Sequence, residues 1–236
     1  RLINDATHPV IVAGDDVCST ASVSALVGLS EKAGLGVHLE LITGRFSFPG
    51  RHPHFRGKLG PDHASIRAAL AGSDLVILIG GPFFEEIWYS DGSPFADGTT
   101  VVQLEQSPVR LAANLPIHLG AAGDLLDALG RLQLLVTDSP ARRSGLLELN
   151  AKDNEVAEQR LAALRGRTPM TPAQALEELG KAIPADAVIA DESITASHDV
   201  LRNLRLGDER EYFGGRGGGI GQGVAGALGV AVARPD

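Results

Sequence analysis

Apolar runs and amphipathic stretches alternate along the chain, separated by short polar connections. The run Val10-Ile11-Val12-Ala13 predicts a strand over 9–13, and apolar positions at helical spacing predict a helix over 19–33. A second strand is expected over 36–41, followed by a long Gly/Pro/His loop over 43–60. Asp62 suits the cap of a helix over 64–71. The near-continuous run "DLVILI", 74–79, has the form of a strand buried on both faces of a parallel sheet. Further strands are expected over 100–104 and 116–119, and a helix over 123–135. Strand-helix alternation of this kind predicts an α/β fold, a doubly wound parallel sheet with right-handed crossovers.

From Thr137 the pattern changes. "TDSPARRSG" and "NAKDNEVAEQR" are polar and charged, and "RGRTPMTPA" carries two prolines. This stretch predicts an interdomain linker, 137–170, with a helix near 154–165. Beyond it Thr171 caps a helix over 172–182, with Pro172 at the favoured first position. Strands are expected over 187–190 and 211–213, with helices over 193–204 and 219–233. The division expected is therefore a Rossmann-like domain over 1–136, the linker, and an incomplete second α/β domain over 171–236.

Composition adds limits. Hydrophobic residues make up 44% of the 236, enough for a core, but aromatics only 4%, so that core rests on Ala, Val, Leu and Ile. A net charge of −8 argues against nucleic-acid and membrane partners. No apolar run reaches membrane-spanning length and no basic-then-apolar leader opens the chain. Cys18 is the single cysteine, so no internal disulfide can form, and a cytoplasmic location is the default. Both ends read as cuts through a longer protein: a strand at the start, a helix running into "ARPD" at the end.

Candidate chemistry is sparse. The turn "VAGDDV" follows the first strand, where a phosphate-binding loop would sit, but has one glycine and two acids that would repel a pyrophosphate. His52, His54 and His63 offer no converging set of three ligands, so no metal site is expected. Cys18 has no evident base beside it and is read as a small buried or capping residue. In "ADESITAS" the acid Glu192 ends a strand, and Ser193, Thr195 and Ser197 follow at a helix start, either as an anion site or as plain capping. Last comes "GGRGGGIGQGVAGALG", 214–229. Gly221, Gly223 and Gly226 fit G-x-G-x-x-G, but no acid follows at the distance a ribose needs. Seven glycines within 214–223 suggest main chain pressed against something flat or bulky; a small-residue helix packed on its sheet is the alternative for the part after Gly223.

The order "VIADES", hydroxyl residues, the aromatic strand "EYF" and then "GGIGQGVAGALG" resembles the opening of the diphosphate-binding domain of thiamine-diphosphate enzymes. The preceding 150 or so residues resemble that family's middle domain. The loop "FPGRHPHFRG", 48–57, and the segment "LVILIGGPFFEE", 75–86, are most similar to its benzoylformate decarboxylase branch. The resemblance implies that the Gly218 carbonyl accepts a hydrogen bond from the cofactor's aminopyrimidine, beside Gly219, and that Ile220 is the apolar wedge under the bend between its two rings. It implies that Ile194 and Thr195 contact the diphosphate. It further implies attack of the cofactor on a 2-oxo acid, loss of carbon dioxide, and then protonation or carboligation, in a homo-oligomer whose sites form between subunits.

Three departures qualify it. The pyrimidine-binding domain with its activating Glu would precede Arg1. The Gly-Asp-Gly…Asn segment that holds magnesium would follow Asp236. The catalytic His of the benzoylformate decarboxylase branch aligns with Ile87, give or take one residue, next to Trp88 and Tyr89, which leaves the substrate open. The expectation is thus part of a thiamine-diphosphate- and Mg2+-dependent 2-oxo acid decarboxylase. This part would contain no catalytic residue and no metal ligand, bind no cofactor alone, be inactive, and need its missing domains and a second subunit. Two alternatives stand: a carboligase of the acetolactate synthase type, and a non-catalytic Rossmann-like module for FAD, NAD or ADP. Some relatives bind FAD or ADP in the middle domain; the "VAGDDV" turn speaks against that here.

Overall fold

A computed structural model describes residues 1–85, 89–204, 206, 211–216 and 219–235, the side chain of His198 excepted. A short helix α1 (Leu2–Asp5) leads into β1 (Pro9–Ala13), α2 (Asp16–Ser19), α3 (Val23–Ala33) and β2 (Gly36–Leu39). Then follow β3 (Phe55–Lys58), α4 (His63–Ala69), β4 (Leu75–Ile79), β5 (Thr100–Glu105), β6 (Leu119–Ala122) and α5 (Leu125–Leu135). The six strands form one parallel sheet in the order β3-β2-β1-β4-β5-β6. This is the doubly wound order expected of a Rossmann-like fold, with the switch point between β1 and β4.

The sheet holds because its centre is covered on both faces. All residues of β1, β2 and β4 are buried. One face packs Ile11, Ile77 and Ile79 with Leu26, Leu29, Leu125 and Leu129 of α3 and α5. The other packs Val12, Val76 and Leu78 with Leu59, Ile66, Phe84 and Phe95. Alternate residues of each strand thus serve opposite layers. At the switch point β1 and β4 converge on bare backbone: the Gly14 N–H donates to the Ile79 carbonyl at 2.9 Å, and a Cβ on Gly14 would lie 2.4 Å from the Gly80 oxygen. Gly14 is therefore required by strand packing.

Several sequence expectations need correction. The helix expected over 19–33 is two: hydroxyls compete for carbonyls here, Thr20 Oγ1 donating to Asp16 O at 2.7 Å, and Ala21 turns to φ 55° before α3 starts. The loop over 43–60 contains β3, an edge strand whose "FRGK" sequence lacks alternation and whose register slips between its two pairs with β2. The strand expected over 116–119 starts three residues later, because His118 Nδ1 is taken by the Val101 N–H at 3.0 Å before the ladder begins. In place of a helix near 154–165, one 25-residue helix, α6 (Pro140–Leu164), runs through most of the stretch. It buries no residue, so it carries no apolar stripe to read. Polar anchors hold it instead: Arg142 donates to Ile3 O, Arg143 to the Glu31 and Lys32 carbonyls, and Asp153 pairs with Arg56 at 2.7 Å.

After α6 come α7 (Pro172–Ala182), β7 (Ile189–Asp191), α8 (Ser197–Asn203), β8 (Tyr212–Gly214) and α9 (Gln222–Ala233), with β7 and β8 paired in parallel. The capping box at Thr171 is present, with Gln174 as its partner. No helix among the described residues is long and apolar enough to cross a membrane.

Candidate cofactor site and its anchor

β7 and β8 end side by side, with Asp191 opposite Gly214. Asp191 organises the strand ends. One carboxylate oxygen accepts from Tyr212 Oη at 2.9 Å, the other from the Ser193 N–H at 2.7 Å. Burial and the Asp191 charge push the Tyr212 hydroxyl far above its ordinary range, so it stays protonated and donating. Glu192 then ties the two following segments together: its carboxylate accepts from the N–H of Gly221 and, at 2.7 Å, of Gly223. Two N–H groups at the start of α9 are therefore satisfied by the protein's own acid. Gly221 caps α9 with φ 95°, a conformation that favours glycine.

Four of the residues expected to hold a cofactor, Ile194, Thr195, Gly219 and Ile220, stand in solvent. Ile220 is 99% exposed and Ile194 is 74% exposed, with Thr195 exposed beside it. A Cβ on Gly219 would meet nothing within 4 Å. Bare backbone and an apolar side chain facing open space fit one side of a flat, bent ring system. Gly218 lies outside the described residues, as do Ile87 and Trp88. One expectation is corrected: Ile194 and Thr195 are not at a helix start, since α8 begins at Ser197 and they sit in the turn between β7 and α8. The Ser193 amide, counted as available to an anion, is taken by Asp191.

The site does not stand alone. The long loop after β2 bridges it to the large sheet. Gly50 N–H donates to Leu206 O at 3.0 Å, and Gly214 N–H to Gly44 O at 2.9 Å. Phe46 meets Tyr212 edge-on with centroids 6.1 Å apart, and the Arg45 guanidinium lies 4.1 Å above the Phe213 ring. Within the loop, His54 is buried and bonded to Ser30 Oγ at 2.9 Å, with His52 stacked edge-on against it and Phe48. The histidines thus act in packing.

At the switch point the "VAGDDV" turn is filled from within. Asp15 accepts from the Gly44 and Arg45 N–H groups and from Arg216 at 3.2 Å; Asp16 pairs with Arg110 at 2.6 Å. Nearby Glu40 is buried, which pushes its carboxyl up to about 7, against the opposing pull of Arg216. Burial likewise raises Glu105, whose Oε1 accepts from Gln103 at 3.0 Å. A phosphate there would face Asp15, Asp16, Glu40 and Glu85. The mouth of the crevice at the strand ends, the usual nucleotide place in such folds, is thus occupied by the protein's own ion pairs. Sequence reading missed Arg216 and Glu40; the one signal was a charged residue set inside a glycine run. A separate cavity of about 380 Å³, lined by His63, Phe95 and His118 among others, lies by the start of β5 and includes no residue of the glycine segment.

The model of a family described as "Thiamine pyrophosphate enzyme, central domain" matches residues 1–132. The chain belongs to the thiamine pyrophosphate enzyme family. It is 28% identical over 233 residues to benzoylformate decarboxylase from Pseudomonas aeruginosa, covering 99% of this chain and 42% of that protein. It is 26% identical to the chloroplastic acetolactate synthase 1 of Oryza sativa subsp. japonica, covering 100% of this chain and 36% of that protein. Among solved structures, a thiamine diphosphate-dependent 4-hydroxybenzoylformate decarboxylase of Rhodococcus jostii RHA1 superposes with TM-score 0.79 at 25% identity, covering 99% of this chain and 42% of that one. The chain thus spans about two fifths of the length of the curated relatives it matches.

Proposed function

We propose that these 236 residues are the middle domain, linker and start of the diphosphate-binding domain of a thiamine-diphosphate-dependent 2-oxo acid decarboxylase, divided near 136 and 170. One observation carries the reading: Ile220 and Ile194 both stand in solvent just beyond the ends of the paired strands β7 and β8. Exposed isoleucines beside unobstructed glycine backbone offer an apolar surface that a flat cofactor with an apolar underside would cover. Thiamine diphosphate, when bound, supplies the nucleophilic carbon and the electron sink for decarboxylation. On this side of it, Gly218, Gly219 and Ile220 would hold the rings, and Ile194 and Thr195 would hold the diphosphate. Asp191 and Glu192 hold those segments in register.

Magnesium, the activating acid, and the facing subunit of a homo-oligomer are assigned to parts of the protein outside these residues. A chain spanning two fifths of its relatives is accordingly expected to be inactive by itself. The test is an assay of carbon dioxide release from aromatic and aliphatic 2-oxo acids, with the cofactor and magnesium. The full-length protein is expected to turn over at least one, and the 236 residues alone none. Turnover by the 236 residues would overturn the assignment of catalytic groups elsewhere. The similarity to acetolactate synthase favours a second reading, carboligation. Formation of a 2-hydroxy ketone from two 2-oxo acid molecules would distinguish it.

A further inference from the structure

Resting on that reading, we infer that Arg216 is a positioning residue that fixes the cofactor-bearing glycine segment to the turn after β1. Arg216 lies two residues before Gly218 and four before Ile220. Its guanidinium leaves the glycine segment and enters the crevice at the C-terminal end of the large sheet. There Nη1 donates to Asp15 Oδ2 at 3.2 Å and to the Ile42 carbonyl, and Nη2 donates to Glu85 Oε2 at 2.8 Å. Glu40 stands 3.9 Å away. Three hydrogen-bond acceptors and one nearby carboxylate, from three separate segments, converge on one side chain.

The anchorage is built to last through local fluctuation. The Asp15 carboxylate is itself held by the Gly44 and Arg45 N–H groups, at 2.9–3.1 Å, so it cannot swing to follow a mobile arginine. The loop after β2 also grips β8 through Gly44 O and the Arg45–Phe213 contact. The forked guanidinium satisfies several acceptors at once in a way a lysine cannot. Glu40 has no hydrogen-bond partner for its Oε1 within the described structure. Its other oxygen accepts from the Ile42 N–H at 2.7 Å, and the arginine's charge opposes the burial that favours its protonated form. The acids that fill the place of a nucleotide loop thus serve a different end, receiving the arginine that locates the cofactor segment.

Cofactor affinity and backbone exchange test this in the full-length protein, at a temperature where each variant is folded. Arg216→Ala is expected to raise the thiamine diphosphate Kd about tenfold, the equivalent of one charge-assisted anchor, and to speed amide exchange across 214–223 by a similar factor. Arg216→Lys should recover part of both. Because Arg216→Ala leaves the buried Glu40 unpaired and can fail to fold, Glu85→Gln serves as the second variant. Glu85 is exposed. That change should move the same two readouts in the same direction by a smaller factor. Unchanged Kd and unchanged exchange in the folded variants would overturn the inference, even if melting falls, since loss of stability alone marks a structural residue. If the wild-type protein binds no thiamine diphosphate, the proposed function fails, while the exchange comparison still judges the anchor.

Discussion

At the residue scale, function depends on which side chains are free to meet a ligand and which are committed. Ile220 touches almost nothing, so Ile220→Ala should leave thermal stability within about 0.5 kcal/mol of wild type. The same change should weaken thiamine diphosphate binding by the full-length protein severalfold. Paired melting and titration measurements check this; a large fall in melting temperature would mean that Ile220 packs on the protein. Glu192 is the reverse case, since it satisfies two amides at the start of α9. Glu192→Ala should cost on the order of 1–2 kcal/mol and should expose the Gly221 and Gly223 amides to exchange. His38 gives a pH signature. Burial, aided by the Arg56 charge, lowers its imidazole from 6.5 to about 4. Between these values the unfolded chain takes up a proton that the folded chain refuses at His38, so this residue's contribution to stability falls as pH drops from about 6.5 to about 4, while Glu40, raised to about 7, gains over the same range. By pH 5 the His38 share of the loss is about 2 kcal/mol, and His38→Leu should shift the pH 7 to pH 5 stability difference by about that amount in denaturant titrations. Equal slopes in the two proteins would refute the assignment.

At the scale of elements, the switch point between β1 and β4 is tightly constrained. Gly14→Ala would drive a methyl against the Gly80 oxygen and should cost about 3 kcal/mol or more, measured by chemical denaturation. A neutral outcome would mean that the strands can separate there. Burial also decides which elements were legible in the sequence. β1 and β4 are buried on both faces and announce themselves as unbroken apolar runs. β3 has only half-buried residues and a register slip, so "FRGK" carries no period. α6 buries nothing and is fixed by arginines reaching carbonyls far away in sequence, a contact that local pattern cannot encode. In the site, the glycines and Ile220 stood out by composition. Arg216 did not, because its meaning lies in acids more than a hundred residues earlier in the chain.

At the scale of the molecule, one apolar core runs from the large sheet into the later segments. Ile11, Leu39, Phe46 and Phe48 pack in the same cluster as Val200, Leu201, Leu204, Leu206 and Tyr212. The family's middle domain and the glycine segment are thus joined by packing, by the loop after β2 and by Arg216. This arrangement gives the crevice of a dinucleotide fold to an internal contact, and our central proposal follows: thiamine diphosphate would be met at the glycine segment, and an adenine nucleotide would not be met at the switch point. Isothermal titration of the full-length protein with thiamine diphosphate plus magnesium, alongside ADP, NAD and FAD, tests this most directly. The expected result is saturable binding of thiamine diphosphate that weakens in Ile220→Ala, and no binding of the adenine nucleotides. Tight binding of an adenine nucleotide with none of thiamine diphosphate would contradict it.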